Sequence, residues 1–317
     1  MLRELKHLLI DVYGKSLGYF INPSKRIYWF YILTSIALAS FVYYKYNKKK
    51  DPNKSLIKFL FPKENFLSRT ALVDLFFLFF NAFVKLFIIA TFSYAAKHYH
   101  YELTELIANT IGPAPRGYSL SLLTAFYLIS LLVVGDFSYY ILHLLYHKIP
   151  FMWAFHKVHH SSTALNPITQ YRIHPVELVI NNLRALVVIT LVNSMFDYLN
   201  RGYFTPQTYF GVNILLLTFN SWGSNLRHSH IKLTYFNWLE NFLISPFQHQ
   251  IHHSSQKELH NKNLGSKLAI WDKIFGTLVK SKDVEKLNVG LGEKDKHYKS
   301  FLQNIINPFK SLFNSNY

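Results

Sequence analysis

Long apolar runs separated by short polar segments dominate this chain and predict membrane helices. Residues 27–44 carry no charge, and 71–96 and 119–145 are rich in Leu, Phe and Ile. A run of about 20 mostly apolar residues is long enough to cross a bilayer as a helix. A fourth block, 176–222, is broken at 200–206 and predicts a hairpin or an interfacial segment. We therefore expect an all-α, polytopic membrane helical bundle of about four spans.

The excess of positive charge fits membrane topology better than nucleic-acid binding. The formal net charge is +17 at pH 7, and six lysines between residues 45 and 58 directly follow the first apolar run. Lys and Arg collect in cytoplasmic loops of membrane proteins, and no nucleic-acid recognition motif accompanies the charge. We expect a cytoplasmic lysine-rich loop and no nucleic-acid partner. Residues 1–25 lack the apolar core of a signal peptide, and the composition suggests a bacterial inner membrane.

Twelve of the sixteen histidines lie between residues 143 and 260, and most of them form groups. The groups are His143 and His147; His156, His159 and His160; His228 and His230; and His249, His252 and His253. Neutral imidazole is the commonest protein ligand for a catalytic metal, and one tetrahedral ion takes about four ligands. The inventory therefore predicts two metal ions in one pocket. Alternation of the spans places all of these groups on the cytoplasmic side.

Helical spacing gives these groups the form of a metal site. His143 and His147 lie four residues apart and share a helix face, and Asp136 lies seven residues earlier on the same stripe. Its carboxylate could accept the outer ring N–H of a ligand histidine. In each His-x-x-His-His triplet, we expect the first and second histidines to share a face and the third to reach a second ion.

Besides Asp136, three histidines are open as ligands or as partners of ligands: His174, His230 and His260. His228 and His230 are two residues apart and cannot share a helix face, so one direct ligand is expected, and we favour His228 over His230. His174 and His260 could be ligands, hydrogen-bond partners of ligands or local capping residues.

The chemistry of this set favours a redox metal over hydrolytic zinc. The chain has no cysteine, and it lacks the His-Glu-x-x-His motif that places a general base between two zinc ligands. A neutral shell of histidines suits iron, although ligand type leaves zinc, manganese and copper open. The alternatives are a zinc-dependent lipid hydrolase and a metal-handling membrane protein. A transporter would place its ligands near the membrane midplane, whereas these histidines lie at helix ends.

Four ordered motifs resemble the sterol desaturase / fatty acid hydroxylase superfamily. They are the segments 136–147, 151–161 and 249–253 and the ending at 263–277, and the likeness runs over about 128–279. Leu144 stands where many relatives have Arg, and His230 stands where Asn is common.

The resemblance implies an integral membrane di-iron enzyme whose metal site forms a cytoplasmic cap over membrane helices. It implies metal ligation by His143, His147, His156, His159, His160, His228, His249, His252 and His253. The implied reaction uses O2 to hydroxylate or desaturate a C–H bond of a lipid, which could be fatty acyl, sterol or ether-lipid. A separate electron-donor protein is expected, because the chain has no nucleotide-binding fingerprint. We expect an N-terminal membrane region at 1–118, a catalytic domain at 119–280 and a polar basic tail at 281–317 that is solvated or lies on the membrane surface.

Overall fold

The computed structural model describes residues 18–53, 55–115, 117–202, 204–206 and 214–314, and these residues form helices and loops. The helices are α1 (Trp29–Val42), α2 (Leu56–Leu60), α3 (Lys63–Phe66), α4 (Arg69–Ile111), α5 (Leu120–Lys148), α6 (Pro150–His160), α7 (Pro175–Asn200), α8 (Ile214–Ser221), α9 (Pro246–His252), α10 (Ile270–Ile274) and α11 (Phe301–Ser311). In this part of the chain the only β-type pairing is two isolated bridges. The predicted all-α class is confirmed.

Within the described part of the chain, three helices are long and apolar enough to cross a membrane. They are the Arg69–Ile88 part of α4, α5 and α7. The run at 71–96 lies within one continuous 43-residue helix. The run at 27–44 gives a 14-residue helix that continues into a π-helical turn, Tyr43–Asn47. It is shorter than a typical span.

The predicted hairpin at 176–222 is only partly described. α7 ends at Asn200, and Arg201 closes it in the left-handed conformation with φ of 53°. Residues 203 and 207–213 lie outside the described residues, as do residues 1–17, where a signal peptide would lie. The total of about four spans therefore stays a prediction.

Local capping determines where the histidine-bearing helices begin. The Ser119 hydroxyl accepts the backbone N–H of Leu122 at the start of α5, as preferred N-cap residues do. Ile149 is extended before Pro150, because the residue before a proline avoids the helical region. The chain therefore turns sharply between α5 and α6. This turn brings the end of α5 beside the histidines of α6.

The long helices pack against one another on one side and expose apolar side chains on the other. α7 packs against both α4 and α5, and Leu123, Val188 and Phe196 form part of the core between α5 and α7. Only 17% of the apolar window of α5 is buried. The outward-facing leucines and phenylalanines are suited to contact with lipid.

The C-terminal segment packs on the histidine-bearing part of the fold instead of lying free in solvent. Tyr298 is buried with Val158 of α6 and Phe77 of α4. The Ser161 hydroxyl donates to Asn304 Oδ1 of α11 at 2.9 Å. The tail at 281–317 was expected to be solvated or to lie on the membrane surface; in its described part, 281–314, Tyr298 and α11 pack against the fold. Asn304, Asn307 and Pro308 are the buried residues of α11, and Phe301 and Ile305 pack partly buried beside them.

Candidate metal centre

The structure brings the nine histidines implied by the resemblance into two adjacent clusters. The first cluster contains His143, His147, His156, His160 and His252, and the second contains His159, His228, His249 and His253. Each residue of a cluster offers one ring nitrogen, and the nitrogens of a cluster lie within 4.8 Å of one another. The two clusters adjoin, since the His160 and His253 ring centroids are 4.7 Å apart.

The histidines of each triplet divide between the clusters differently from the expectation. His156 and His160 share the first cluster, while His159 belongs to the second. Likewise His249 and His253 share the second cluster and His252 crosses to the first. The expectation that the first and second histidines of each triplet share a helix face was wrong. A step of four residues turns a helix by about 400°, closer to full turns than the roughly 300° of three residues.

The outer nitrogens of five ligand candidates face oxygen atoms. The Nδ1 contacts are His143 to Leu264 O at 2.7 Å, His252 to Lys262 O at 3.0 Å, His159 to Arg172 O at 3.2 Å, His147 to Asn261 Oδ1 at 3.2 Å and His156 to Glu177 Oε1 at 3.0 Å. Carbonyl and carboxylate oxygens only accept, so each Nδ1 carries the hydrogen and donates. The lone pair is then on Nε2, which faces the interior of the cluster.

These inward nitrogens approach one another in a way that a cation explains. His143 Nε2 and His156 Nε2 are 3.1 Å apart, yet both carry lone pairs and neither can donate. Two nitrogens bound to one ion at about 2.1 Å and about 90° to each other lie about 3 Å apart. Within the described residues, the buried Nε2 atoms of His147 and His252 have no hydrogen-bond partner. The first cluster therefore fits a bound metal ion.

The second cluster is arranged around His228. Its Nε2 lies 3.2 Å from His159 Nε2, 3.2 Å from His249 Nε2 and 3.1 Å from His253 Nε2. One imidazole N–H can satisfy at most one of these three contacts. A metal ion among the four nitrogens would satisfy them all.

Burial keeps the cluster histidines in the neutral form that binds metals. Burial lowers the pKa of His159 to about 3, although a hydrogen bond to the Arg172 carbonyl opposes the shift. Burial and the neighbouring imidazoles hold the pKa values of the others outside α5 well below 6.5; these are His156, His160, His228, His249, His252 and His253. At neutral pH their ring nitrogens are available for coordination.

Asp136 does not accept a ring N–H, as the sequence suggested it could. Its two oxygens accept the backbone N–H groups of Lys267 and Leu268, each at 2.9 Å. Asp136 therefore holds the loop whose Leu264 carbonyl accepts the His143 N–H. Glu177 is the carboxylate that contacts a ligand histidine, and we assigned it no role from the sequence. The sequence signal that could have identified Glu177 was its position next to His174-Pro175, at the start of an apolar helix.

The remaining candidates lie outside both clusters. His174 Nδ1 accepts the Val176 N–H and caps α7, which is the local capping role left open above. His230 Nε2 lies 2.6 Å from the Phe59 carbonyl and donates to it. His260 is exposed at the end of a 3-10 turn, Lys257–Leu259. The preference for His228 over His230 agrees with this placement.

The clusters lie within a segment that matches a known family. Residues 128–277 match the fatty acid hydroxylase model. Human alkylglycerol monooxygenase is 31% identical over 49% of this chain and 31% of its own. Human cholesterol 25-hydroxylase is 31% identical over 50% of this chain and 53% of its own. Ornithine lipid hydroxylase OlsE of Rhizobium tropici is 26% identical over 58% of this chain and 51% of its own.

The match is confined to part of each protein. The chain spans from about a third to about half of the length of these curated relatives, and no solved structure matches. The matched segment contains both histidine clusters and Glu177. Residues 128–277, just under half of the chain, are therefore similar to the fatty acid hydroxylase family.

Proposed function

We propose that this chain is an integral membrane di-iron enzyme that uses O2 to hydroxylate or desaturate a lipid C–H bond. The observation that carries the proposal is the pair of adjacent clusters of neutral, inward-facing imidazoles at the ends of membrane-type helices. The relatives are named as monooxygenases and hydroxylases of alkylglycerol, cholesterol and ornithine lipid. These names support a lipid as the substrate class.

The residues of the chain have three tasks in this proposal. The nine histidines hold two irons, and Glu177 and the backbone carbonyls fix the orientation of the rings. When bound, the irons would supply the activation of O2 and the removal of a hydrogen atom from an unactivated C–H bond. The apolar surfaces of α5 and α7 admit the lipid tail from the bilayer and exclude water. Electrons come from a separate protein, and the site lies on the cytoplasmic side of a bacterial inner membrane.

Isotope labelling tests this proposal directly. Cells that express the chain or its His156→Ala variant are grown under 18O2, and their lipids are compared by mass spectrometry. Hydroxylation predicts an oxygen atom from O2 in a lipid product that the variant does not make, and desaturation predicts loss of two hydrogens. An 18O label that enters only from labelled water would indicate a zinc-dependent lipid hydrolase instead. No change in any lipid would favour a metal-handling membrane protein.

A further inference from the structure

An apolar cavity of about 370 Å³ lies between α5, α8 and the segment that carries Lys267 and Leu268. Leu128, Leu131 and Leu132 of α5 form one wall, and Leu215 and Phe219 of α8 contribute to another. Its size and lining are typical of small-ligand sites, in which a few polar groups fix the orientation of an apolar ligand.

Residues that line the cavity lie close to residues that support the candidate metal centre. The Arg227 guanidinium lies 4.6 Å from the ring centroid of Phe219, a lining residue. Arg227 directly precedes His228 in the chain. On the other side, Lys267 and Leu268 line the cavity and belong to the loop whose Leu264 carbonyl accepts from His143. A ligand in the cavity would therefore lie close to Arg227, which precedes His228, and to the loop whose Leu264 carbonyl accepts from His143.

Lys267 is a cationic residue that lines this cavity. Its side chain is 28% exposed, and its Nζ is 3.9 Å from Asp136 Oδ1 and 5.8 Å from the ring centroid of Phe219. Both Asp136 oxygens already accept backbone N–H groups. Within the described residues, Lys267 Nζ has no hydrogen-bond acceptor. The ammonium has three N–H donors, and an anionic oxygen in the cavity would accept from them.

The direction of the cavity matches that of a lipid in the bilayer. Leu128 lies eight residues before Asp136 in α5, about 12 Å deeper along the helix axis. The lysine therefore lies at the end nearer the cap, and the leucines extend toward the membrane interior. A lipid of the adjacent leaflet would have its head at Lys267 and its chain among the leucines.

From this arrangement we propose that the cavity binds a lipid whose head carries an anionic oxygen group, with that group paired to the Lys267 ammonium and the acyl chain along α5. The inference rests on the proposed function and names its substrate class. A carboxylate and a phosphate share this chemistry. Burial lowers the pKa of Lys267 to about 8, which leaves the amine mostly protonated at neutral pH.

Quenching of Trp222, which lines the cavity, measures this binding without turnover. The full chain in nonionic detergent is titrated with three lipids that share one brominated stearoyl chain: the free acid, the lysophosphatidic acid and the neutral monoacylglycerol. The Trp222→Phe variant supplies the background from other tryptophans. We expect at least one anionic lipid to bind about ten- to a hundredfold more tightly than the neutral one. Which anionic lipid binds better distinguishes carboxylate from phosphate.

Variants separate recognition by Lys267 from a structural role. Lys267→Met should abolish the preference for anionic lipids with little effect on the neutral one, and Lys267→Arg should retain it. The exposed Lys273→Met is the matched control and should behave as wild type. Leu132→Phe should weaken binding of all three lipids by filling part of the cavity without adding a tryptophan.

Equal binding of the three lipids by wild type would overturn the inference, even if Lys267→Met failed to fold. A preference that persists in Lys267→Met would also overturn it. These outcomes are distinct from failure of the proposed function. Selective binding without any O2-derived lipid product would contradict the enzyme and leave the binding site intact.

Discussion

At the scale of single residues, the site depends on which nitrogen of each imidazole carries the hydrogen. Three of the outer acceptors are backbone carbonyls, at Leu264, Lys262 and Arg172. Their positions result from the tertiary fold, and no sequence pattern marks them. The nine histidines could be predicted because their spacing is local. Glu177 was missed because it lies 21 residues from His156.

Glu177 should control how tightly the first cluster holds its metal. In Glu177→Ala the His156 N–H loses its acceptor, and loss of such a partner lowers metal affinity by about 10- to 100-fold. Glu177→Gln keeps an oxygen acceptor in place and should remain near wild type. The measurement is metal retained against a graded chelator. Equal retention by the alanine variant and wild type would contradict the assigned role.

His174 should make stability depend on pH. Its Nδ1 accepts the Val176 N–H, so the fold requires the neutral ring, and burial lowers its pKa from 6.5 to about 4. Between these values the unfolded chain binds more protons, so stability falls as the pH falls from 6.5 toward 4. Asparagine can cap the helix without titrating.

Melting temperatures from pH 7.5 to 5 compare wild type with His174→Asn. We expect wild type to lose more stability over this interval than the variant. The cluster histidines are present in both proteins, so the difference isolates His174. Parallel curves would show that this ring does not contribute to the dependence.

At the scale of elements, the loop 263–268 is the support that connects α5, α10 and the first cluster. Asp272 of α10 accepts the N–H groups of Leu264 at 2.7 Å and Gly265 at 2.8 Å. Leu264 in turn accepts from His143. The sequence predicted this ending only as a motif that resembles a family, since a carboxylate that organises a loop has no distinctive spacing.

The Asp272→Asn substitution should loosen this loop. The amide nitrogen of the substituted side chain cannot accept, so one buried backbone N–H is left without a partner, at a cost of about 1–3 kcal/mol. Thermal unfolding should show the loss, and metal should dissociate faster than from wild type. Asp283→Asn, at an exposed position, is the control. If Asp272→Asn were as stable as its control, the loop would not be held in this way.

At the scale of the whole molecule, alternation of apolar runs explained why distant histidines meet. His143 and His253 are 110 residues apart in sequence and belong to adjoining clusters. The sequence predicted this convergence from the expected alternation of the apolar runs across the membrane. The sequence did not predict how the histidines of each triplet divide between the two clusters, because that depends on the small angular difference between helical steps of three and four residues. Nor did polar composition reveal that the C-terminal helix covers α6.

The central claim is that the nine histidines hold two metal ions, and metal content per chain tests it most directly. Iron and zinc are measured by elemental mass spectrometry on detergent-purified protein, with His156→Ala for the first cluster and His228→Ala for the second. The exposed His260→Ala is the control. The account predicts about two irons per chain in wild type and the control, and a clear loss in each cluster variant. One zinc per chain, or no stoichiometric metal, would contradict it.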